Sequence, residues 1–583
     1  MGKVQIEKSK DNFNILKINK DNKNCYLGSK YSQSRELDKF MKSVEPLTEK
    51  DNYIVLGAGA LEHIKLLLDK KDKNSKILVV EAIDYILEEV KKLEIYNELI
   101  KNEDIVITNS IDEIKEFMNE NIDDLNLEYA KLVTFSNYNK IFTNELMESY
   151  KEIKEHLINM ALERNTKLQF KDEWVDSSLI NSKYLFESEK INEFKDKYKD
   201  IPAIIVSAGP SLQKNINYID KNKALIISGG RTLKPLLGVN IDPDFMAIID
   251  GSQASYELVE NYLDKTNTNL IYNEMTNSKI LDNYKGPKIS SAQSGFMKEI
   301  LGEDIVDIIK GGSVANAMTF IAAFMGCNPI IFVGQDLAYT DNKGHAECAK
   351  TDSVSIDAKE NYYKSNDVYV EGIDGKEVRT SLSLKAYKES LEDIVESFKD
   401  IKFINATEGG AAIRGTEVRK LKEVLEEFED IKEKDTKVKN ISDKEILKKT
   451  IDGLKDNLEA SNKVISLTSK AMKSLERFKK AYFKNDNSSV NRINQELNRY
   501  EKEINEEIPK LSIVNSVIYD LSYNIECSEQ FVVNKSDSKK RVVEKKLDLN
   551  TEIYKGMNRI CKDSIKKIED TLNIMEKKYA KLS

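Results

Sequence analysis

Four short stretches of the chain place glycine, hydroxyl and charged residues immediately after apolar runs, where a parallel sheet offers its strand ends to a ligand. The first is Ser207-Ala208-Gly209-Pro210-Ser211-Leu212. Gly209 permits close backbone approach, Pro210 suits a first helical turn, Ser211 adds a hydroxyl, and the free N–H groups of a helix starting there would hold a phosphate. The second, Ser228-Gly229-Gly230-Arg231-Thr232, repeats the arrangement and supplies a cation. The third is Gly311-Gly312-Ser313-Val314-Ala315-Asn316, and the fourth is Gly334-Gln335-Asp336-Leu337-Ala338-Tyr339, followed by His345. One glycine turn usually just connects two elements, whereas four in one sheet point to a shared site. None has the spacing of a P-loop, which argues against a Walker-type ATPase.

The chemistry these residues suit is the binding of a phosphate-bearing ligand beside a group able to move a proton. An imidazole at His345 would be poised to take a proton near neutral pH. Arg231 and the helix start after Ser211 would offset the charge of a phosphate. Asp242-Pro243-Asp244 looks like an Asp-x-Asp metal clamp, but it precedes the run FMAIID instead of ending it, so a turn is the preferred reading. Asp250, at the carboxyl end of that run, is the better-placed carboxylate. Gly57-Ala58-Gly59, with Glu81 closing the next apolar run, has the look of a dinucleotide or S-adenosylmethionine fingerprint; a retained scaffold is preferred over a working cofactor site.

The elements that must position these groups fall into three textures. Residues 1–190 open with the β-like runs FNILKI and CYLGSKYS and continue as an α/β domain, whose clearest βαβ unit is YIVLGAGALEHIKLLL followed by KILVVEA. Residues 191–425 carry apolar runs at AIIVSAG, ALIIS, FMAIID, NLIYNE, DIVDIIK and PIIFVG, mostly separated by helical patterns. That alternation predicts an α/β fold with a Rossmann-like, mostly parallel sheet covered by helices on both faces. The stretch from about 340 to 385, rich in Asp, Asn, Gly and Tyr, reads as an insertion over the site and a mobile lid. Residues 426–583 have helical periodicity at Leu447, Ile451, Leu454, at Ile493, Leu497, Ile504 and at Ile553, Met557, Ile560, with Pro509 as a kink, and predict a helical bundle.

At 583 residues the chain is long enough for two to four domains, and 40% hydrophobic with 32% charged residues suits a globular protein. Ninety basic residues interspersed among 99 acidic ones, net −9, argue against nucleic acid as a partner. The first 20 residues lack the apolar stretch of a signal peptide, and no uncharged apolar run of 18 follows, so neither a membrane segment nor export is expected and the location expected is cytoplasmic. The five cysteines are far apart and the histidines are His63, His156 and His345, so neither a disulfide framework nor a zinc ligand set is written here.

AIIVSAGPSL, the run GGSVANAMTFIAAFMGCNPIIFVGQDLAYT with its trailing GHAE, and INATEGGAAIRGTE together resemble the motility accessory factor (Maf) family, whose central domain shares its fold with the 6-hydroxymethylpterin diphosphokinase MptE-like domain. The resemblance implies a glycosyltransferase that attaches nonulosonic acids, of the legionaminic or pseudaminic type, to flagellin Ser or Thr. It also extends to bacterial sialyltransferases that use CMP-activated sugars. By it, Gly209, Pro210 and Ser211 would lie against the nucleotide, with Gly312 and Ser313 approaching the phosphate or sugar; from their places at the strand ends, Ser207, Gly229, Gly230, Asp250, Asn316 and Gln335 are expected to complete the nucleotide-sugar site. Asp336 would anchor a ribose hydroxyl or order the pocket, and Tyr339 would help the phosphate leave, although it stands one position off the sialyltransferase pattern and His345 is closer to the aspartate. The implied donor is a CMP-nonulosonate and the acceptor flagellin, with no cofactor required; a divalent metal, the oligomeric state and the particular sugar stay open. A pterin diphosphokinase and a non-catalytic flagellin chaperone are the alternatives.

Overall fold

The computed structural model describes residues 4–20, 23–293, 295–350, 368–432, 434–438 and 441–582, without the side chains of 162–163 and 166–174. The chain forms two compact units, one of residues 1–169, 467–502 and 518–558, the other of residues 170–466, 503–517 and 559–583.

The first unit contains a three-stranded antiparallel sheet of β1 (Val4–Lys8), β2 (Asn14–Lys20) and β3 (Lys23–Leu27). Beside these in sequence come β4 (Asn52–Leu56), β5 (Ile77–Val80), β6 (Ile105–Thr108) and β7 (Ala130–Thr134), which form a parallel sheet in the order β6-β5-β4-β7. Every residue of β4 and β5 is buried, so these strands read as continuous apolar runs instead of alternating ones, the pattern of a sheet covered on both faces. The expected βαβ unit is β4, the helix Glu62–Lys70 and β5.

The second unit is built on nine strands: β8 (Glu189–Lys190), β9 (Ala203–Val206), β10 (Leu225–Gly229), β11 (Phe245–Ala247), β12 (Asn269–Tyr272), β13 (Lys288–Ser290), β14 (Ile330–Val333), β17 (Phe403–Asn405) and β18 (Glu417–Val418). All pairings are parallel, in the order β18-β17-β14-β9-β10-β11-β12-β13-β8. From β9 the chain steps one way through β13, then returns to place β14 on the other side of β9. The strand order therefore reverses between β9 and β14, and the loops leaving their carboxyl ends must diverge, which opens a crevice there. Ile204, Ile205, Val206 and Ile331 are fully buried, each contributing roughly 1.5–3 kcal/mol of burial to hold the two strands that frame the crevice.

DIVDIIK, expected as a strand, is irregular: the sheet edge it would join is taken by β8, and the stretch is held instead through Val306, whose N–H donates to Asn192 Oδ1 (3.0 Å) and whose carbonyl accepts from Ser291 Oγ (2.8 Å). Of the expected lid, 351–367 lie outside the described residues. The remainder includes the hairpin β15 (Val368–Glu371) and β16 (Glu377–Thr380), anchored by Thr380 Oγ1 donating to the Leu337 carbonyl at 2.7 Å. The last third is helical, with helices at Lys444–Phe483, Asn487–Glu507, Asn515–Glu526 and Lys539–Leu582, and the periodic Leu447, Leu454, Ile493, Ile504 and Met557 are buried. Pro509 sits in a single 3-10 turn just after the second of these ends, so the expected kink is a break. Among the described residues no helix is long and apolar enough to cross a membrane.

Candidate functional site

The crevice between β9 and β14 contains a cavity of about 350 Å3. Its walls come from the turn after β9 (Ser207, Gly209), the helix after β10 (Arg231, Thr232), the start of the helix Val314–Phe324 (Gly312, Ser313), the turn after β14 (Gln335, Asp336) and His345. All four glycine turns thus contribute to one space.

The β9 and β14 turns are locked together. The Gly209 N–H donates to the Gly334 carbonyl at 2.8 Å, and a Cβ on Gly334, whose φ is +67°, would collide with the Ser207 carbonyl. A Cβ on Gly209 would collide with the Asp336 carboxylate. That carboxylate is 2% exposed and accepts from Ser211 Oγ at 2.7 Å, the Ser211 N–H at 3.2 Å and Thr340 Oγ1 at 2.7 Å. Burial pushes its pKa up, and the Ser211 and Thr340 hydrogen bonds pull the other way. Of the two roles implied for Asp336, ordering the pocket is the one its contacts describe.

This pairing corrects the reading of Ser211 as a phosphate-facing helix start. Ser211 is fully buried, its N–H is taken by Asp336, and the α-helix after it is four residues long. The helix start that faces the cavity is that of Val314–Phe324, preceded by Gly311 and Gly312 at φ +64° and +67° and capped by Ser313, whose Oγ accepts from the Ala315 N–H at 3.2 Å. Eleven residues of aligned peptides favour an anion at that end.

His345 and Arg231 face the same space. The imidazole is held down to about 4, first by burial and then by the Arg231 guanidinium, against the opposing pull of the Ala208 backbone. It is therefore neutral at neutral pH, and an anion set beside Arg231 would raise its basicity. Among the described residues Ser207 Oγ, which is buried, has no hydrogen-bond partner.

Other residues expected at the site stand behind or away from it. Pro210, Gly229, Gly230, Asn316, Asp250 and Tyr339 do not line the cavity. Gly229 is a packing position, where a Cβ would lie 3.2 Å from Val314 Cγ1, and Gly230 similarly faces Val259 at 3.1 Å. Asn316 braces the wall, donating to the carbonyls of Gly311 (3.2 Å) and Tyr387 (3.1 Å). Asp250 is exposed and caps its own turn through the Ser252 N–H at 2.8 Å; it follows β11 by three residues, one strand beyond those whose turns line the cavity. Tyr339 packs under the Arg379 guanidinium, 4.6 Å from the ring centre, which directs it to the hairpin. Conversely, Leu384 and Tyr387, from the helix Leu382–Ser397, line the cavity, and nothing in their local sequence marks them.

Asp242-Pro243-Asp244 lies at the amino end of β11, where Asp242 Oδ1 accepts from Thr268 Oγ1 (2.9 Å) and Asp244 Oδ2 from the Ile226 N–H (2.8 Å), as a turn would. In the first unit the Gly57-Ala58-Gly59 turn is occupied by its own chain. Tyr138 lies where a Cβ of Gly57 would be, and its OH accepts from the Gly59 N–H (3.0 Å) and donates to Glu81 Oε2 (2.5 Å). Glu81 also accepts from the Ala58 N–H at 3.0 Å, and burial pushes it up to about 7.

Residues 176–342 match the family described as 6-hydroxymethylpterin diphosphokinase MptE-like, so every turn of the cavity up to the one after β14 lies within the matched region. Among solved structures, the Maf glycosyltransferase from Magnetospirillum magneticum AMB-1 superposes with a TM-score of 0.57 at 14% identity, over 98% of this chain and 93% of that one. The chain has the Maf fold. At this identity the likeness is one of architecture, and it spans the N-terminal α/β region, the MptE-like domain and the helical tail together. No protein of curated function matches.

Proposed function

We propose that the chain is a Maf-type glycosyltransferase that moves a nonulosonic acid, legionaminic or pseudaminic in type, from a CMP-activated donor to serine or threonine of flagellin. The observation that carries this reading is the convergence of four strand-end turns on one crevice that holds a guanidinium, a helix start and a neutral imidazole. The Maf fold supports it. The donor phosphate would lie between Arg231 and the N–H groups after Ser313, where it offsets the guanidinium charge that, after burial, keeps His345 weakly basic. His345 would then accept the proton of the acceptor hydroxyl as its oxygen bonds to the anomeric carbon, the carbon–phosphate oxygen bond breaks and CMP departs with its negative charge against Arg231. At about 350 Å3 the cavity is at the lower end of small-ligand sites, which suits the nucleotide half of the donor. Residues 191–425 would act as the catalytic domain, with the flanking regions 1–190 and 426–583 gripping the acceptor protein.

The family description favours a second reading, a pterin diphosphokinase. That reaction uses MgATP, whereas the one carboxylate among the described lining residues is Asp336, with both oxygens already accepting from Ser211 and Thr340. Mixing the protein with a CMP-nonulosonate and flagellin and weighing flagellin by intact mass spectrometry separates the readings. A gain of one or more sugar masses is expected; unmodified flagellin in a stable complex would make the protein a scaffold, and pyrophosphoryl transfer to a hydroxymethylpterin would make it a kinase.

A further inference from the structure

A second cavity, of about 780 Å3, opens at the opposite edge of the nine-stranded sheet, against the amino ends of β10 to β13. Four lysines line it: Lys221, Lys285, Lys288 and Lys437. Its three carboxylates are already engaged. Asp242 accepts from Thr268 Oγ1 at 2.9 Å, Asp244 from the Ile226 N–H at 2.8 Å and Lys434 Nζ at 3.2 Å, and Glu187 pairs with Lys578 at 3.3 Å.

The lysines have no such partners. Among the described residues no carboxylate lies within ion-pair distance of any of the four, and their ammonium groups reach backbone carbonyls at most: Lys221 to Asp242 (3.0 Å), Lys285 to Asp282 (3.3 Å) and Lys288 to Gly286 (3.3 Å). Lys288 decides the matter. It is 8% exposed, its charge lies over the Tyr184 and Tyr284 rings at 5.4 and 5.6 Å, and its neighbours Lys285 and Lys578 add positive charge. Burial makes its charge costly and pushes its proton affinity down; Glu187 pulls the other way, although its carboxylate is already paired with Lys578, and the like charge of Lys285 and Lys578 adds to the cost. An anion in the cavity removes that cost.

We propose that this amino-edge cavity binds a phosphate-bearing small molecule, held by Lys288 from below and by Lys285, Lys221 and Lys437 at the rim. Lysines on flexible stems suit the diffuse charge of phosphate oxygens, and the Asn269 and Thr436 walls are polar. The site is separate from the crevice of Ser207 and Asp336 and stands whatever reaction that crevice performs.

The test is acetylation of Lys288 in the full chain by acetic anhydride, read by peptide mass spectrometry, with inorganic pyrophosphate as the probe. Saturating pyrophosphate should slow modification of Lys288 at least fivefold in the native chain and in Arg231→Gln, which disables the other cavity. The protection should be lost in the double variant Lys285→Gln/Lys437→Gln, both exposed positions. Equal acetylation with and without pyrophosphate, or protection that survives the double variant, would overturn the proposal. A cytidine diphosphate arm distinguishes the source: protection at tenfold lower concentration than pyrophosphate assigns the phosphate to a nucleotide, and equal potency assigns it to an inorganic or simple phosphate.

Discussion

Asp336 reaches from the end of β14 to Ser211 at the end of β9, and its carboxylate takes both the Ser211 hydroxyl (2.7 Å) and the Ser211 N–H (3.2 Å). This one contact closes the floor of the crevice at the reversal of strand order. Asp336→Ala would leave the buried Ser211 donors and the half-buried Thr340 hydroxyl without their acceptor and should cost about 3 kcal/mol, whereas Ser211→Ala should cost about 1 kcal/mol, measured by urea denaturation. Equal small losses would show that the contact does not organise the turn.

Arg231 and His345 are electrostatically linked. Arg231→Gln should raise the His345 pKa from about 4 toward its ordinary value, and NMR titration reads this in a chain with three histidines. His345→Ala should slow sugar transfer by about 10^2-fold or more while donor affinity changes little. Wild-type turnover in His345→Ala would remove the imidazole from the mechanism.

Gly312 stands at φ +67° with the Tyr387 ring 3.4 Å from the position of a Cβ. Gly312→Val should destabilise the fold by roughly 1–2 kcal/mol through its backbone conformation and weaken donor binding about tenfold by filling the wall. Tyr387→Ala should raise the donor KM with a smaller effect on kcat, which steady-state kinetics separates.

His63 is buried in a stack with Phe135, ring centres 3.6 Å apart, and burial holds it down to about 3. The unfolded chain takes up this proton below about pH 6.5, so the stability contributed by neutral His63 is present above that pH and is lost as the pH falls toward 3. His63→Phe keeps the stack and removes the titration. The variant should gain about 2 kcal/mol over the native chain at pH 5 and nothing at pH 8, by denaturation at the two pH values.

Because both oxygens of Asp336 are engaged, transfer is expected to survive EDTA. Activity abolished by EDTA and restored by Mg2+ would bring back a metal-assisted mechanism.

The strand ends of the crevice were legible because buried parallel strands must leave the sheet through turns in which only glycine allows the approach seen at Gly209 and Gly334. Arg231, Ser313 and His345 stood out for the same reason, as charged or hydroxyl groups next to such turns. The pattern sets the edge of the sheet on which a residue lies, but not the crevice, and so Asp250, just past β11, and Tyr339, packed against Arg379, read as site residues although neither lines the cavity. Tyr387 and Leu384 enter through tertiary packing of the helix Leu382–Ser397, where their spacing is that of any amphipathic helix. Asp336 was recognised, but its partner was not, since the contact spans 125 residues of sequence.

In the first unit, the Tyr138 ring sits in the glycine turn where a bound cofactor would press against the backbone. The protein is thus its own guest there: a phenol, tethered through one Cα, with the buried Glu81 carboxyl as host. Truncation to Tyr138→Gly would vacate a berth the size of free phenol, and a stability deficit repaired by dissolved phenol would turn this region into a small-molecule-controlled element of an otherwise unaltered chain.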